Sequence, residues 1–304
     1  MRLVAATLAA ASLAYFSTLA FAADITFQKS YSVQGAPALN VCASSGLIHV
    51  SGTSAGKVQV SATVHKGNWH SMASTDEMKK LAATPPLQQN GNAIQIGDKT
   101  TCGADSLHNI DIDYEISVPA NSTLVAHDGA GDIHVESLKG FVRVKTGTGN
   151  IVVNGLGAQS VLITGAGNVD VTGGQGLLLV KSGSGNLTIH DSALDGALVA
   201  TASGDITATN LKGGIRVSTG KGNISMAGLP SADWEMRTGE GAIAFHADAG
   251  AKFSLDAETG SGTIDSTFPS PLSGHITDGV LRGPVNGGGA VVKLYTGTGN
   301  ITLQ

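Results

Sequence analysis

A G-x-G corner recurs along this chain at a nearly fixed interval, and that periodicity constrains the fold more than any other feature. The segments begin with DGAGDIHV at Asp128, TGTGNIVV at Thr146, TGAGNVDV at Thr164 and SGSGNLTI at Ser182. They continue with TASGDITA at Thr201, TGKGNISM at Thr219, TGEGAIAF at Thr238, TGSGTIDS at Thr259 and TGTGNITL at Thr296. The second glycines are Gly131, Gly149, Gly167, Gly185, Gly204, Gly222, Gly241, Gly262 and Gly299, so the steps are 18, 18, 18, 19, 18, 19, 21 and 37. A sustained period of this size marks a solenoid, in which each unit buries its face only against its neighbours. About nine coils between Gly131 and Gly299 then predict a rod segment of roughly 43 Å at ~4.8 Å per stacked strand.

Aligning the chain on the repeat exposes apolar columns. Two residues past the second glycine stand Ile133, Ile151, Val169, Leu187, Ile206, Ile224, Ile243, Ile264 and Ile301. Five residues before it stand Ala126, Val144, Leu162, Val180, Val199, Val217, Met236, Ala257 and Leu294. Polar residues such as Arg143, Lys145, Thr188, Thr207 and Ser225 alternate with these columns, the two-residue period of strands with one buried face. The same corner returns at the same phase, so equivalent strands are expected to stack in parallel. The fold expected is all-β: a right-handed, single-stranded parallel β-solenoid (β-helix) with coils of about 18 residues.

The corner residues have assigned duties. Gly129 and Gly131, Gly147 and Gly149, Gly165 and Gly167, Gly183 and Gly185, Gly220 and Gly222, and Gly297 and Gly299 are structural corner glycines, because tight corners need backbone angles that a side chain forbids. The Thr or Ser before each corner shares the parity of the buried column, so its hydroxyl is expected to bond corner backbone. The Asn or Asp after it suits a turn and a stacked amide row. Because the chain stops on this motif, it is expected to end inside the last coil. The stretch from Thr267 to Gly289 breaks the pattern and reads as a loop or hairpin covering the end of the stack, where a bare strand edge would invite aggregation.

The chain divides into three parts. Residues 1–22 read as a secretory signal peptide: Arg2, an apolar run, and the cleavage signal Ala20-Phe21-Ala22. No cysteine follows to carry a lipid there, and no later segment is apolar enough to span a bilayer. Residues 23–120 read as irregular first β coils, with a helical insertion at about 74–84 opened by a Ser74/Glu77 capping box and stopped by Pro85-Pro86. Residues 121–304 are the regular solenoid, with its end-covering segment at about 267–290. In an exported chain the two cysteines, Cys42 and Cys102, are expected to pair as a disulfide, closing a loop worth roughly 3–4 kcal/mol on the chain-entropy view.

LNVCASSGLIHVSG, EISVPANSTLVAHDGAGDIHV, the repeated TGxGNI and the closing GGGAVVKLYTGTGNITL together resemble the bacterial "putative adhesin" family of unknown function. The resemblance covers nearly all of the chain after residue 22. It implies a β-helix fold and an exported, cell-envelope setting, and it brings no catalytic motif.

Chemistry is sparse. A net charge of −5 with no basic run argues against nucleic acid as a partner. Asn or Asp directly follows the glycine and is usually Asn, a poor substitute for the carboxylates that calcium prefers. A strand rather than a helix follows each G-x-G, which argues against a phosphate cradle. Asp111, Asp113 and Glu115 form an acidic stripe on one strand, read as a solvated face. His65, Trp69 and His70 make the densest local cluster, read as a surface loop in preference to a metal or sugar site. Trp234 falls in a buried column and reads as core. No catalytic, cofactor-binding or metal residue is assigned. The leading reading is a non-enzymatic surface, scaffold or binding protein, periplasmic, cell-surface or secreted, whose partner is a glycan or protein ligand. The rival is a carbohydrate-active β-helix enzyme such as a polysaccharide lyase, for which 4% aromatic and 13% charged residues are meagre. A third reading, ice binding through Thr rows, conflicts with the inward parity of the Thr column.

Overall fold

The computed structural model describes residues 25–67, 73–97, 110–269 and 272–304. All the strands among them belong to one continuous sheet wound into a solenoid-like body, with one helix at its side.

The N-terminal part contains β1 (Ile25–Ser32), β2 (Ala38–Ser45), β3 (Ile48–Thr53), β4 (Lys57–Lys66), α1 (Thr75–Ala83), β5 (Leu87–Asn90), β6 (Ala93–Ile96) and β7 (Ile110–Pro119). The coil stack follows as β8 (Thr123–Ala130), β9 (Ile133–Glu136), β10 (Val142–Thr148), β11 (Ile151–Asn154), β12 (Ser160–Ala166), β13 (Val169–Thr172), β14 (Gln175–Ser184), β15 (Leu187–Ser203), β16 (Ile206–Lys221), β17 (Ile224–Leu229), β18 (Trp234–Glu240) and β19 (Ile243–Ala247). The C-terminal part holds β20 (Phe253–Thr259), β21 (Ile264–Thr267), β22 (Ser273–Ile276), β23 (Val280–Val285), β24 (Ala290–Thr298) and β25 (Ile301–Leu303).

Within the stack the pairing is parallel and advances by one repeat at each step. Val142 registers with Leu124 and Ser160, Ser160 with Leu178, Leu178 with Ala197, Ala197 with Ile215, and Ile215 with Trp234. The strands before the corners form one wall and those after them a second. Val144, Leu162, Val180, Val199 and Val217 fill the interior from the first wall, and Ile133, Ile151, Val169, Leu187, Ile206 and Ile224 from the second, all buried. Return stretches close the third side. Their backbones also ladder, with the Gly157 N–H on the Leu138 carbonyl at 2.9 Å and the Gln175 N–H on the Leu156 carbonyl at 2.9 Å. Leu138, Leu156 and Leu211 point inward from that side, a third column that the two-strand reading misses. Where this column supplies only Gly228, the Trp234 indole fills the space, and its Nε1–H donates to the Gly213 carbonyl at 2.7 Å.

The sheet is mixed rather than wholly parallel, which corrects the expectation of a purely parallel solenoid. At the N-terminal end β1 pairs antiparallel with β4, β4 with β7, and β5 with β6. At the other end β22 pairs antiparallel with β21, and β23 with β20. Antiparallel partners can be supplied by short hairpins, whereas another parallel strand would need a whole further coil. The β5–β6 and β21–β22 hairpins, together with β1, β4 and β23 returning over longer connections, cover edges that would otherwise be exposed.

A second correction concerns the last repeat. β24 pairs in parallel with β18 on one side and β20 on the other, and β25 lies likewise between β19 and β21. The chain's last coil thus intercalates between the coil of β18–β19 and that of β20–β21, and is not the terminal one. Seven register steps, through 149, 167, 185, 204, 222 and 241, separate Gly131 from Gly299, and Gly262 lies one step beyond. The nine-coil length estimate between Gly131 and Gly299 falls accordingly.

The corners stack closely. Gly167 has φ +153°, and a Cβ there would lie 2.0 Å from the Gly149 carbonyl oxygen of the preceding coil. The hydroxyl of the Thr or Ser before each corner donates to that same carbonyl position, as Thr164 does to Gly149 at 2.9 Å and Thr219 to Gly204 at 3.0 Å. The Asn/Asp row bonds mainly through backbone: Asn150 Oδ1 accepts the Asn168 N–H at 3.0 Å, and Asn168 Oδ1 the Asn186 N–H at 2.8 Å. Either residue type can accept, which accounts for their interchange at this position.

Candidate functional site

Two clusters of polar side chains stand out, both near the N-terminal end of the stack. The first is a groove of about 610 Å³ at the end of the first wall, lined by parts of β2, β5, β6 and β8. Its polar lining is uncharged: Asn40, Gln88, Asn90, Gln95 and Thr123, alongside Leu39, Pro86, Ile94 and Val125. The strand period puts Asn40 and Gln95 opposite one another, because β2 and β6 pair in parallel with Asn40 at Gln95. Gln95 donates through Nε2 to the Gly97 carbonyl at 3.2 Å, while its Oε1 is buried without a partner. Neutral amides supply both donors and acceptors, so the groove suits an uncharged polar ligand. Its volume lies in the range of small-molecule sites.

The second cluster is built on β7. Alternation turns Ile110, Ile112, Tyr114 and Ile116 inward and leaves Asp111, Asp113 and Glu115 on the outer face. These carboxylates are engaged rather than merely solvated. Ser45 Oγ donates to Asp111. The Leu47 N–H donates to Asp113 at 2.8 Å, and His65 Nε2 lies 3.0 Å from the other Asp113 oxygen. His49 Nδ1 lies 2.9 Å from Glu115, with Glu136 at 3.9 Å from Nε2 and the His134 ring edge-on at 6.2 Å. Cross-strand register makes these pairs, since β3 sets His49 opposite Glu115. The ion pairs are at the surface, where each contributes little to stability.

The three carboxylates share one strand and one face. Hydrolysis of a glycosidic bond needs two carboxyl groups flanking it from opposite sides, and this stripe does not offer that geometry. Among the described residues, no three His, Cys, Asp or Glu side chains are grouped to hold a metal ion.

Behind the stripe lies Asp128, which the sequence reading passed over because it occupies the Thr column. It is fully buried, and its Oδ2 has no hydrogen-bond partner. Burial is the main cause that pushes its carboxyl up to about 7, and Asp111 and Asp132 add to it against hydrogen bonds from the Ala130 and Gly129 N–H groups. The neighbouring Tyr114 phenol is raised, first by burial and then by Asp128.

The other sequence candidates are dispersed. Trp234 is core. Trp69, His70 and residues 1–22 lie outside the described residues, as does Cys102. Cys42 sits on β2, buried despite a register that pairs it with the outward His127. Among the described residues there is no free cysteine, and no helix is long and apolar enough to cross a membrane.

The Toastrack family model, DUF4097, matches residues 71–304. No curated protein matches the chain. Among solved structures, the chain is similar to a putative adhesin from Bacteroides fragilis NCTC 9343, at 15% identity and a TM-score of 0.42, over 92% of this chain and 97% of that one. A putative adhesin from Parabacteroides distasonis ATCC 8503 is similar at 13% identity and a TM-score of 0.49, over 92% and 97%. A putative cell adhesion protein from Clostridium sporogenes ATCC 15579 gives 12% identity and a TM-score of 0.22, over 92% and 98%.

Proposed function

We propose a binding role, not a catalytic one, for this chain, which belongs to the bacterial Toastrack (DUF4097) family. It is an adhesin-like module of the cell envelope, exported by residues 1–22, and its body is a β-solenoid whose central coils, of roughly 18 residues, stack in parallel between antiparallel ends. The observation that carries this reading is the amide-lined groove of about 610 Å³. A groove with hydrogen-bonding groups of both kinds and no titratable side chain is equipped to hold a neutral polar ligand, such as a glycan, rather than to transform it. Export also implies that Cys42 and Cys102 are bridged, so protein recovered after export should show no thiol to an alkylating reagent under non-reducing conditions.

A glycan array and a whole-cell binding screen test the role. Retention of a neutral glycan that is lost in Asn40→Ala/Gln88→Ala, with the melting temperature unchanged, is the expected result. Turnover of a polysaccharide by the protein, or glycan retention indifferent to those substitutions, would overturn it.

A further inference from the structure

The outer face of the first wall carries a second surface of different chemistry. Two outward rows run across its strands, set by the parallel register. One reads Val125, Arg143, Val161, Leu179, Leu198 and Arg216, and the other His127, Lys145, Ile163, Lys181, Ala200 and Ser218. Val161, Leu179 and Leu198 are direct neighbours in the ladder, and all three are part-exposed. Leu177, at the margin, is 51% exposed, the most open large aliphatic among the described residues. Leu177, Leu179, Ala197 and Leu198 line a shallow groove of about 230 Å³.

Along the two rows from β8 to β16 the charges have one sign, and the carboxylate of Asp195 lies off them, in the bulge beside Gly196. Arg143, Lys145 and Lys181 border the aliphatic patch, and among the described residues none of the three has a carboxylate partner. Neither row carries a carboxylate between β8 and β16. Arg216 is already held by Glu235 at 2.8 Å. Apart from the exposed Gln159 amide at the edge of the groove, the central patch therefore offers aliphatic carbon and charged donors. A peptide or sugar brings several donors of its own, and the Gln159 amide is the one side chain lining the groove that could accept from them without being buried. Each of these strands is paired on both sides, so no extended peptide can add to the sheet at this face.

We propose that this face docks on an anionic phospholipid surface, with Arg143, Lys145 and Lys181 at the headgroups and Val161, Ile163, Leu177, Leu179 and Leu198 against the acyl boundary. The inference is independent of the glycan groove: vesicle binding and glycan retention are separate readouts with separate variants. A net charge of −5 would repel the protein as a whole from such a surface, so adsorption there reports the local face.

The test is co-sedimentation of the full chain with vesicles of phosphatidylglycerol and phosphatidylcholine in equal parts, against phosphatidylcholine alone. Every variant carries the same N-terminal residues, so their contribution cancels. Binding to the anionic vesicles that falls by about tenfold or more in Lys145→Glu/Lys181→Glu is expected. Binding should also weaken when salt rises to about 0.5 M, where screening is short-ranged. Lys212→Glu/Lys252→Glu, with the same change of net charge away from this face, should bind as the parent does. Leu179→Ser/Leu198→Ser, if folded by its melting transition, should lose binding even at low salt. Three results would overturn the proposal: equal binding to both vesicle types, no binding to the anionic ones, or equal loss in the Lys212/Lys252 control. Unchanged vesicle binding in the leucine variant, with dextran sulfate competing fully, would mean that the face reads charge alone, and would overturn it too.

Discussion

Asp128 takes the place of the hydroxyl that the other G-x-G repeats supply from Thr or Ser at this position in the column. In that column the hydroxyl donates to the second corner glycine of the preceding coil, as Thr146 does to Gly131 at 3.0 Å. Register places Gly46 as the corresponding carbonyl for Asp128. Only the undissociated acid can donate toward it. The groups that bear on this carboxyl are Tyr114 and Asp111 on β7 and Asp132 in the corner, none of them cationic. Its folded value of about 7 lies well above the unperturbed value of about 3.9, so its contribution is fully present below pH ~4 and is lost as pH rises through ~7. The loss on deprotonation is on the order of a few kcal/mol. Asp128→Thr restores the column's hydroxyl, so its stability should be nearly flat between pH 5 and 8 while the parent's falls. Urea melts at several pH values check this, and parallel profiles for the two proteins would refute the protonated acid.

At the scale of the element, a coil strand is specified by alternation and its corner by a stacked glycine, a Thr or Ser hydroxyl and the Asn/Asp row. Ile224 is 1% exposed and packs between Ile206 and Ile243, while Ser225 beside it is exposed. Ile224→Ala should cost roughly 2–5 kcal/mol, through lost burial and the cavity left between coils. Ser225→Ala should stay within about 0.5 kcal/mol. Denaturant midpoints of the pair decide the matter, and equal effects would mean the inward column is misassigned. The helix α1 follows local rules of the same kind. The Ser74 hydroxyl accepts the Glu77 N–H at 3.2 Å, the Glu77 carboxylate accepts the Ser74 N–H at 2.7 Å, and Met78 is buried. The Ser74 N–H and, with it, the Ser74 hydroxyl donating at 3.0 Å hold the Glu77 carboxyl below its usual range.

At the scale of the whole molecule, the intercalated last coil ties the C-terminal end together. β24 and β25 are the parallel neighbours of both flanking coils, and the aromatic cluster of Trp234, Phe245, Phe253 and Phe268 spans that junction, with ring centroids 5.5 to 6.4 Å apart. Removing residues 290–304 should therefore do more than shorten the rod. Residues 253–285 lose their parallel contacts to the stack and should become protease-sensitive and exchange their amide protons quickly, while residues 124–226 stay protected. Hydrogen exchange of the truncated and parent chains tests this, and unchanged protection over 253–285 would contradict the observed strand order.

The sequence by itself determined the repeat interval, the corners and two of the three inward columns, because these depend on neighbours a fixed distance along the chain. Strand parity is a local property, and Ile206, Ile224 and Val217 could be assigned to the core from it. It also located the capping box of α1. The third column was hidden because Gly174 and Ser192 interrupt Leu138, Leu156 and Leu211, and a broken period carries little signal. Of the site, the acidic stripe was legible as a row on β7, but its partners Ser45, His49 and His65 come from β2, β3 and β4. The amide groove likewise joins Asn40 to Gln88 and Gln95 across strands far apart in the chain. Only the tertiary structure decided the order of the last coils. Any coil with the same corner and the same inward residues satisfies the same ladder, so the local pattern is degenerate between a final and a penultimate position. Long-range packing against β18 and β20, with β23 covering the outer edge of β20, selects one. Asp128 shows the same in a single residue: its letter reads as a charge, and its burial in a hydroxyl column raises its carboxyl to about 7.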